Sequence, residues 1–225
     1  VVKNILDTEN VVAVTPHLEG QALAKTKSTV SGVIVRGTNW SDLPAKKLLW
    51  QSLDQTSINN FKDNKSIILG YRLAQRLNVN IGDYISIVST NALETVLGIL
   101  PVKQNFIVGG VFDIGMYEYD NNFIFVPWKK AEDFLSTKDV AHGIEIFLKD
   151  QKLTSQVHDD LIVKLGDDFT IIDWKKRNSS FMNALAVEKN VMFLILTLII
   201  VVAAFNIISS MIMLVQTKKS DIALM

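Results

Sequence analysis

The most distinctive pattern in the chain is an uninterrupted apolar run close to its C-terminus. Residues 191–215 read VMFLILTLIIVVAAFNIISSMIMLV and include no charged side chain. As a helix the run is roughly 37 Å long at about 1.5 Å per residue, which exceeds a hydrocarbon core of about 30 Å. Apolar residues would surround this helix, so no face suits water. The run therefore predicts a transmembrane helix; the alternative is a helix buried in a large soluble core.

Small and weakly polar residues mark one side of this predicted helix. Ala203, Asn206 and Ser210 recur at helical spacing. Inside a membrane, such residues let a second helix approach closely and form hydrogen bonds. We therefore expect the helix to pack against other membrane helices.

The segment before the run also has a helical pattern, since Asn178 or Ser179 can cap a helix that continues without a break into it. The alternative is a break near Glu188 and a flexible joint. Basic residues lie at both ends of the run, so the positive-inside rule does not orient it. They are Lys176, Arg177 and Lys189 before it and Lys218 and Lys219 after it.

In the rest of the chain, short segments in which apolar residues recur at every second position alternate with segments in which they recur about every 3.6 positions. The predicted strands are residues 11–15 (ended by Pro16), 30–36, 66–69, 84–88, 106–112, 123–126, 143–149 and 169–173. The predicted helices are residues 71–77, 128–135 and 153–165. This order indicates a mixed α+β domain in front of the membrane helix.

The connection between two of these strands, residues 89–105, reads STNALETVLGILPVKQN. It is far longer than a usual hairpin connection of about two to five residues, and it is apolar where exposed loops are polar. A long apolar loop either packs on its own domain or binds a partner.

Composition excludes several classes of function. The 23 basic and 23 acidic residues give no net charge and hence no basic footprint for nucleic acid. Cysteine is absent, which excludes disulfides and thiolate metal sites. The three histidines, His17, His142 and His158, are scattered, and no H-E-x-x-H, G-x-S-x-G or Walker A motif occurs. We therefore expect a non-enzymatic protein without cofactor or metal, and any ATP would bind another polypeptide.

Several segments resemble the FtsX-like permease family, and within it the lipoprotein-releasing permeases of the LolC and LolE type. They are residues 68–83 (ILGYRLAQRLNVNIGD), 106–120 (FIVGGVFDIGMYEYD), 188–199 (EKNVMFLILTLI), 202–210 (VAAFNIISS) and 218–225 (KKSDIALM). The resemblance covers essentially the whole chain. It does not distinguish a LolC-like, a LolE-like or a hybrid subunit.

The resemblance implies a multi-pass protein of the bacterial inner membrane with four transmembrane helices. The apolar run would be the second helix, residues 1–190 would be mainly periplasmic, and further membrane segments would precede and follow this chain. The periplasmic domain would have two parts, as in MacB-type permeases. The implied divisions are 1–34 and 141–177 (porter-like α/β subdomain), 35–140 (inserted β-rich subdomain), 178–217 (helix entering and spanning the membrane) and 218–225 (cytoplasmic).

The implied function is the extraction of lipoproteins from the inner membrane and their transfer to a periplasmic chaperone for outer-membrane sorting. The implied partners are a LolD-like ATPase subunit that binds ATP and Mg, a second LolC- or LolE-like permease subunit in a hetero- or homodimer, a LolA-like chaperone, the lipoprotein cargo and membrane lipid. Alternatives are a MacB-type exporter, an FtsX-type activator of a cell-wall hydrolase, or a single-span tethered receptor module.

The resemblance also implies three sets of site residues. A chaperone-binding hook at 90–103 would use Leu93, Val96, Leu97, Ile99, Leu100 and Pro101, with Lys103 and Gln104 at its base. Acyl chains would contact Val191, Met192 and Ile195, and Ala203, Asn206 and Ser210 would pack against another helix. The family pattern favours an arginine near Gln104, and lysine at 103 cannot reproduce its bidentate pairing.

Overall fold

The structure is a computed structural model that describes residues 2–95, 98–137, 140–166 and 169–223. Side chains are described in these ranges except at 90–95, 98–101 and 220–223. The chain divides into two compact units, Val1–Leu165 and Gly166–Met225.

The first unit is built on strands that pair in the order β2-β6-β3-β5-β4-β1-β7, with a further pairing between β1 and β2. The strands are β1 (Val11–Lys25), β2 (Val30–Thr38), β3 (Ser66–Gly70), β4 (Tyr84–Thr95), β5 (Gly98–Phe112), β6 (Phe123–Pro127) and β7 (Gly143–Leu148). Because β1 pairs with β4 on one side and with β2 on the other, six strands close into a ring. Closure removes most of the free strand edges that invite unwanted pairing.

Helices connect these strands and cover both faces of the sheet. In the first unit they are α1 (Val2–Leu6), α2 (Lys47–Ser52), α3 (Gln55–Lys62), α4 (Tyr71–Leu77), α5 (Tyr117–Asn122), α6 (Trp128–Leu135) and α7 (Thr154–Leu165). Two short 3-10 helices lie at Trp40–Ala45 and Gln151–Leu153. The predicted helices at 71–77 and 128–135 are confirmed at both ends.

Alternation along the strands separates two hydrophobic cores. Ile124 and Val126 of β6 point to the larger core, which α4 and α6 also enter. Phe123 and Phe125, the intervening residues, point to the smaller core beneath α2 and α3. Packing is tight at Gly37, where an added Cβ would collide with the Cβ of Ala131 and so displace α6. The two-residue period of β6 thus fixes which helices cover which face.

β1 corrects one sequence prediction, because the strand does not end at Pro16 but continues to Lys25. Its first part, from Val11 to His17, pairs with β7 alone, and pairing with β2 begins only at Leu18. At Pro16 one edge of β1 therefore has no strand neighbour among the described residues. A proline is tolerated there because its missing N–H is not needed on that side. The predicted subdomain divisions near residues 34, 140 and 177 stay a prediction.

The second unit consists mainly of helices, α8 (Trp174–Arg177) and α9 (Ser179–Ala223). The strand predicted at 169–173 is wrong, since these residues form no strand. A strand needs a pairing partner, which β propensity alone does not supply, and the Asp173 carboxylate instead caps α8 by accepting from the Lys176 N–H. α9 passes Glu188 without interruption, so the predicted continuous helix is confirmed and the break is not observed.

Candidate functional site

The β4–β5 hairpin extends past every other strand of the ring. β4 pairs with β1 only at Ser86–Ser89, and β5 pairs with β3 only from Ile107 onward. Beyond these points the two strands pair with each other alone, from Ala92↔Pro101 to Thr95↔Gly98. The expectation of a long loop at 89–105 is therefore wrong, because most of this segment continues the two strands. In such a two-stranded ribbon, each strand pairs the backbone groups that face the other strand.

The ribbon leaves the ring through an irregularity. The register shifts between Val88 and Ala92, so β4 carries more residues than the facing part of β5. Extra residues of this kind bend a strand and increase its twist. The ribbon thus changes direction where it leaves the ring.

The predicted hook residues follow the register of this ribbon. Leu93 lies opposite Leu100, and Glu94 lies opposite Ile99. These are successive facing positions of the β4–β5 ladder. Pro101 lies opposite Ala92. Val96 and Leu97 lie outside the described residues.

The two residues at the base of the hook lie on opposite sides. Gln104 faces Ile87, which is fully buried, and the Gln104 Oε1 is buried with no hydrogen-bond partner among the described residues. Lys103 faces Val88 and is exposed. Lys103 is thus the polar base residue that a partner can reach, while Gln104 points towards the ring.

The α9 helix carries the second candidate surface. Residues Ser179–Lys219 have a mean hydropathy of 3.0 in their most apolar window, and none of that window is buried. The predicted acyl-contact residues Val191, Met192 and Ile195 are 49%, 53% and 44% exposed. This helix is long and apolar enough to cross a membrane.

The polar side chains of α9 differ in whether they have a hydrogen-bond partner within the helix. The Thr197 hydroxyl donates to the Phe193 carbonyl at 2.8 Å and needs no outside partner. No side-chain hydrogen bond of Asn206 or Ser210 occurs within the described part of the chain. At about 100° per residue, Ala203, Asn206 and Ser210 lie within about 60° of one another around the helix. The structure thus leaves the predicted packing side exposed and unsatisfied.

Sequence reasoning missed a cluster of charges around the buried Arg36. Arg36 is only 3% exposed; its Nε donates to Glu19 Oε2 at 2.9 Å and its Nη1 to Glu145 Oε1 at 2.7 Å. Lys46 pairs with the other oxygen of Glu145. The Arg36 guanidinium also lies 4.9 Å from the centroid of the Phe123 ring. This ion-pair cluster ties β1, β2 and β7 together.

The cluster shifts the ionisation of its members. Burial opposes the ionisation of Glu145, but Lys46 and Arg36 outweigh it and hold the pKa of this carboxyl below its ordinary value. Burial, helped by the charge of Arg36, lowers the pKa of His17. The sequence did contain a signal for this cluster, since Arg36 and Glu145 are each a charged residue within an otherwise apolar strand. Pattern alone did not say that Arg36 and Glu145 meet.

No group of three or more His, Asp or Glu side chains suited to a metal occurs in the parts of the chain that the structure describes. The two candidate surfaces, ribbon and helix, are apolar. They define the class: an α/β domain with a projecting hairpin, followed in sequence by a helix suited to a membrane.

The chain belongs to the family of MacB-like periplasmic core domains, whose family model matches residues 2–163. It is 31% identical over 216 residues to the lipoprotein-releasing system transmembrane protein LolC of Xylella fastidiosa, covering 96% of this chain and 52% of that protein. It is 22% identical over 225 residues to the corresponding protein LolE of Haemophilus influenzae, covering 99% and 54%. These matches confirm the family resemblance that the sequence motifs indicated.

The chain spans about half the length of the relatives it matches. Among solved structures, the periplasmic region of MacB from Actinobacillus actinomycetemcomitans is similar, with a TM-score of 0.49 and 13% identity over 81% of each chain.

Proposed function

We propose that this chain is part of a permease subunit that extracts lipoproteins from the bacterial inner membrane and hands them to a periplasmic chaperone. The observation that carries the proposal is the β4–β5 ribbon, which pairs only with itself beyond the ring. Both relatives compared above are named as lipoprotein-releasing system proteins. The first unit would lie in the periplasm, within a multi-pass protein.

The apolar ribbon residues suit a reversible contact. Burying about 400 Å² of apolar surface from Leu93, Ile99, Leu100 and their neighbours in a chaperone cavity would contribute roughly 10 kcal/mol. Association itself costs about 4–15 kcal/mol. The net affinity is therefore modest, as a chaperone that must leave with its cargo requires.

The α9 helix would serve the membrane side of the reaction. Val191, Met192 and Ile195 are exposed and apolar, which suits contact with lipoprotein acyl chains. Ala203, Asn206 and Ser210 would pack against a neighbouring helix of this subunit or of a second permease subunit. The unbroken course of α9 past Glu188 suits the transfer of motion along the helix.

Energy would come from outside this chain. A LolD-like ATPase subunit would bind ATP and Mg, since this sequence has no Walker A motif. Closure of that subunit would move the membrane helices and expel the cargo towards the docked chaperone. The permease subunit itself would perform no covalent chemistry.

Site-specific photocrosslinking in cells tests the docking step. A photoreactive amino acid at Ile99 of the full-length protein is expected to capture a LolA-like chaperone. The matched control carries the same group at Val163, which is 87% exposed on α7, and is expected to capture none. Transport is followed in parallel by the release of a labelled lipoprotein from spheroplasts.

The outcomes separate the alternatives. Capture at Ile99 together with loss of release in a Leu100→Asp variant supports the proposal. Capture of a cell-wall hydrolase or an exporter adaptor would instead favour an FtsX-type or MacB-type role. Normal lipoprotein release by the Leu100→Asp variant, at normal abundance, would refute the role of the ribbon.

A further inference from the structure

A cleft opens where two parallel strands of the ring end. β2 and β6 run parallel, and their last residues, Thr38 and Pro127, face each other in the ladder. α6 begins immediately after Pro127. The cleft has a volume of about 160 Å³ and is lined by Thr38, Trp40, Asn64, Pro127, Trp128 and Lys129, among others. It lies within the first unit and involves none of the residues assigned to the hook.

Thr38 contributes an unmet polar group to this cleft. The residue is fully buried, and its Oγ1 has no hydrogen-bond partner among the residues that the structure describes. A buried hydroxyl without a partner destabilises a fold. An acceptor atom bound in the cleft would remove this deficit.

The start of α6 supplies further donors. The first N–H groups of a helix have no carbonyl partner within it, and α6 has no side-chain cap at Pro127. The helix is eight residues long, and its positive dipole end favours an anion. Because Trp128 and Lys129 form its first turn and line the cleft, these donors lie at the same place as Thr38.

The walls of the cleft add positive charge and aromatic surface. The Lys62 ammonium lies 4.5 Å from the centroid of the Trp40 ring, and Lys129 is exposed at the rim. None of the residues that line the cleft is acidic. The nearby carboxylates already have partners, since Asp42 accepts from Asn39 and Ser41 and Asp63 accepts from Lys65. An anion entering the cleft therefore meets donors rather than a competing carboxylate.

We propose that this cleft binds a phosphate group. A phosphate has several acceptor oxygens and can accept simultaneously from a hydroxyl, helix N–H groups and an ammonium, whereas a carboxylate has two oxygens. The volume of about 160 Å³ admits a phosphate or a small phosphodiester headgroup, since one water takes up about 30 Å³. The proposal does not depend on lipoprotein release, because its test measures binding alone.

Fluorine NMR on the full-length protein in detergent tests it. The protein is labelled with 5-fluorotryptophan, and the signals of Trp40, Trp50 and Trp128 are assigned with W40F, W50F and W128F. Inorganic phosphate and glycerophosphoethanolamine, a soluble phosphodiester headgroup, are titrated separately at constant ionic strength. Saturable shifts of the Trp40 and Trp128 signals, with no shift at Trp50, are expected. Binding of the diester identifies lipid as the source of the phosphate, whereas binding of inorganic phosphate alone identifies the free ion.

Two variants of one residue separate ligand binding from folding. Thr38→Val keeps the shape of the side chain, removes the hydroxyl and is expected to weaken binding at least tenfold without lowering the melting temperature. Thr38→Ser keeps the hydroxyl and is expected to bind within about threefold of the wild type. Equal shifts with chloride or acetate, no saturable shift with either phosphate, or unchanged binding by Thr38→Val would each overturn the proposal.

Discussion

Replacing Arg36 by methionine removes the guanidinium at the centre of the ion-pair cluster and keeps much of its apolar stem. Arg36 is 3% exposed, while the side chains of its partners Glu19 and Glu145 are 32% and 23% exposed. In the variant, Glu145 keeps Lys46 as a partner. Glu19 loses the cation that faces it across the β1–β2 ladder. The variant therefore leaves one half-buried carboxylate without compensation.

The expected loss of stability follows from these exposures. Breaking a buried ion pair by removing one partner costs about 3–5 kcal/mol. Water reaches Glu19 and Lys46 still neutralises Glu145, so the lower end, about 3 kcal/mol, is expected. With a urea dependence of about 2 kcal/mol/M, the unfolding midpoint falls by roughly 1.5 M.

Urea unfolding followed by circular dichroism on residues 1–165, which contain all the described strands, measures this loss. The control is Arg76→Met, because Arg76 is exposed and donates only to the Asn121 carbonyl at 2.8 Å; it should cost no more than about 1 kcal/mol. Adding Glu19→Gln to Arg36→Met should restore at least about 1 kcal/mol. A loss below about 1 kcal/mol for Arg36→Met, or no recovery in the double variant, would refute the reasoning.

Two further predictions concern His17 and Asn206. Burial and Arg36 lower the pKa of His17, so the unfolded chain binds its proton more readily and stability should fall as the pH drops below about 6.5. Unfolding at pH 7.5, 6.5 and 5.5 should show a smaller fall for His17→Gln, and an unchanged slope would contradict this. Asn206→Leu should weaken self-association of residues 179–223 about fivefold in a bacterial membrane reporter. Thr197→Val, whose hydroxyl serves only Phe193, should not, and equal effects would exclude a specific packing side.

The local sequence pattern was sufficient to predict a helix or strand wherever the ends of that element are set by its own residues. The switch from strand to helix at Gly70 and the start of α6 after Pro127 both appear where the sequence period changes. Local pattern failed where the outcome depends on a distant neighbour. Pro16 sits inside a strand because no described strand pairs with its other edge, and the sequence near Pro16 does not show which strands will pair with it.

The candidate sites show the same division. The apolar character of residues 89–105 pointed to an unusual segment, but only the β4–β5 register reveals that it is a paired ribbon. Arg36, Glu19 and Glu145 stand on three strands, so their contact depends on register across β1. The Thr38 cleft left no signal, since a threonine at the end of a strand is ordinary. Its importance comes from the buried hydroxyl without a described partner and from the helix that begins after Pro127.

The pairing of β1 with β7 also has a consequence for how the chain acquires its fold. β1 emerges early in synthesis, yet its first half must wait for Gly143–Leu148, roughly 130 residues later. Contacts of such long range form slowly, because the intervening chain has to be gathered first. Until then the apolar edge of β1 is open to wrong pairing. Nascent chains truncated before residue 143 should therefore aggregate more than those that extend past 148, which contain β7 and so cover the first half of β1.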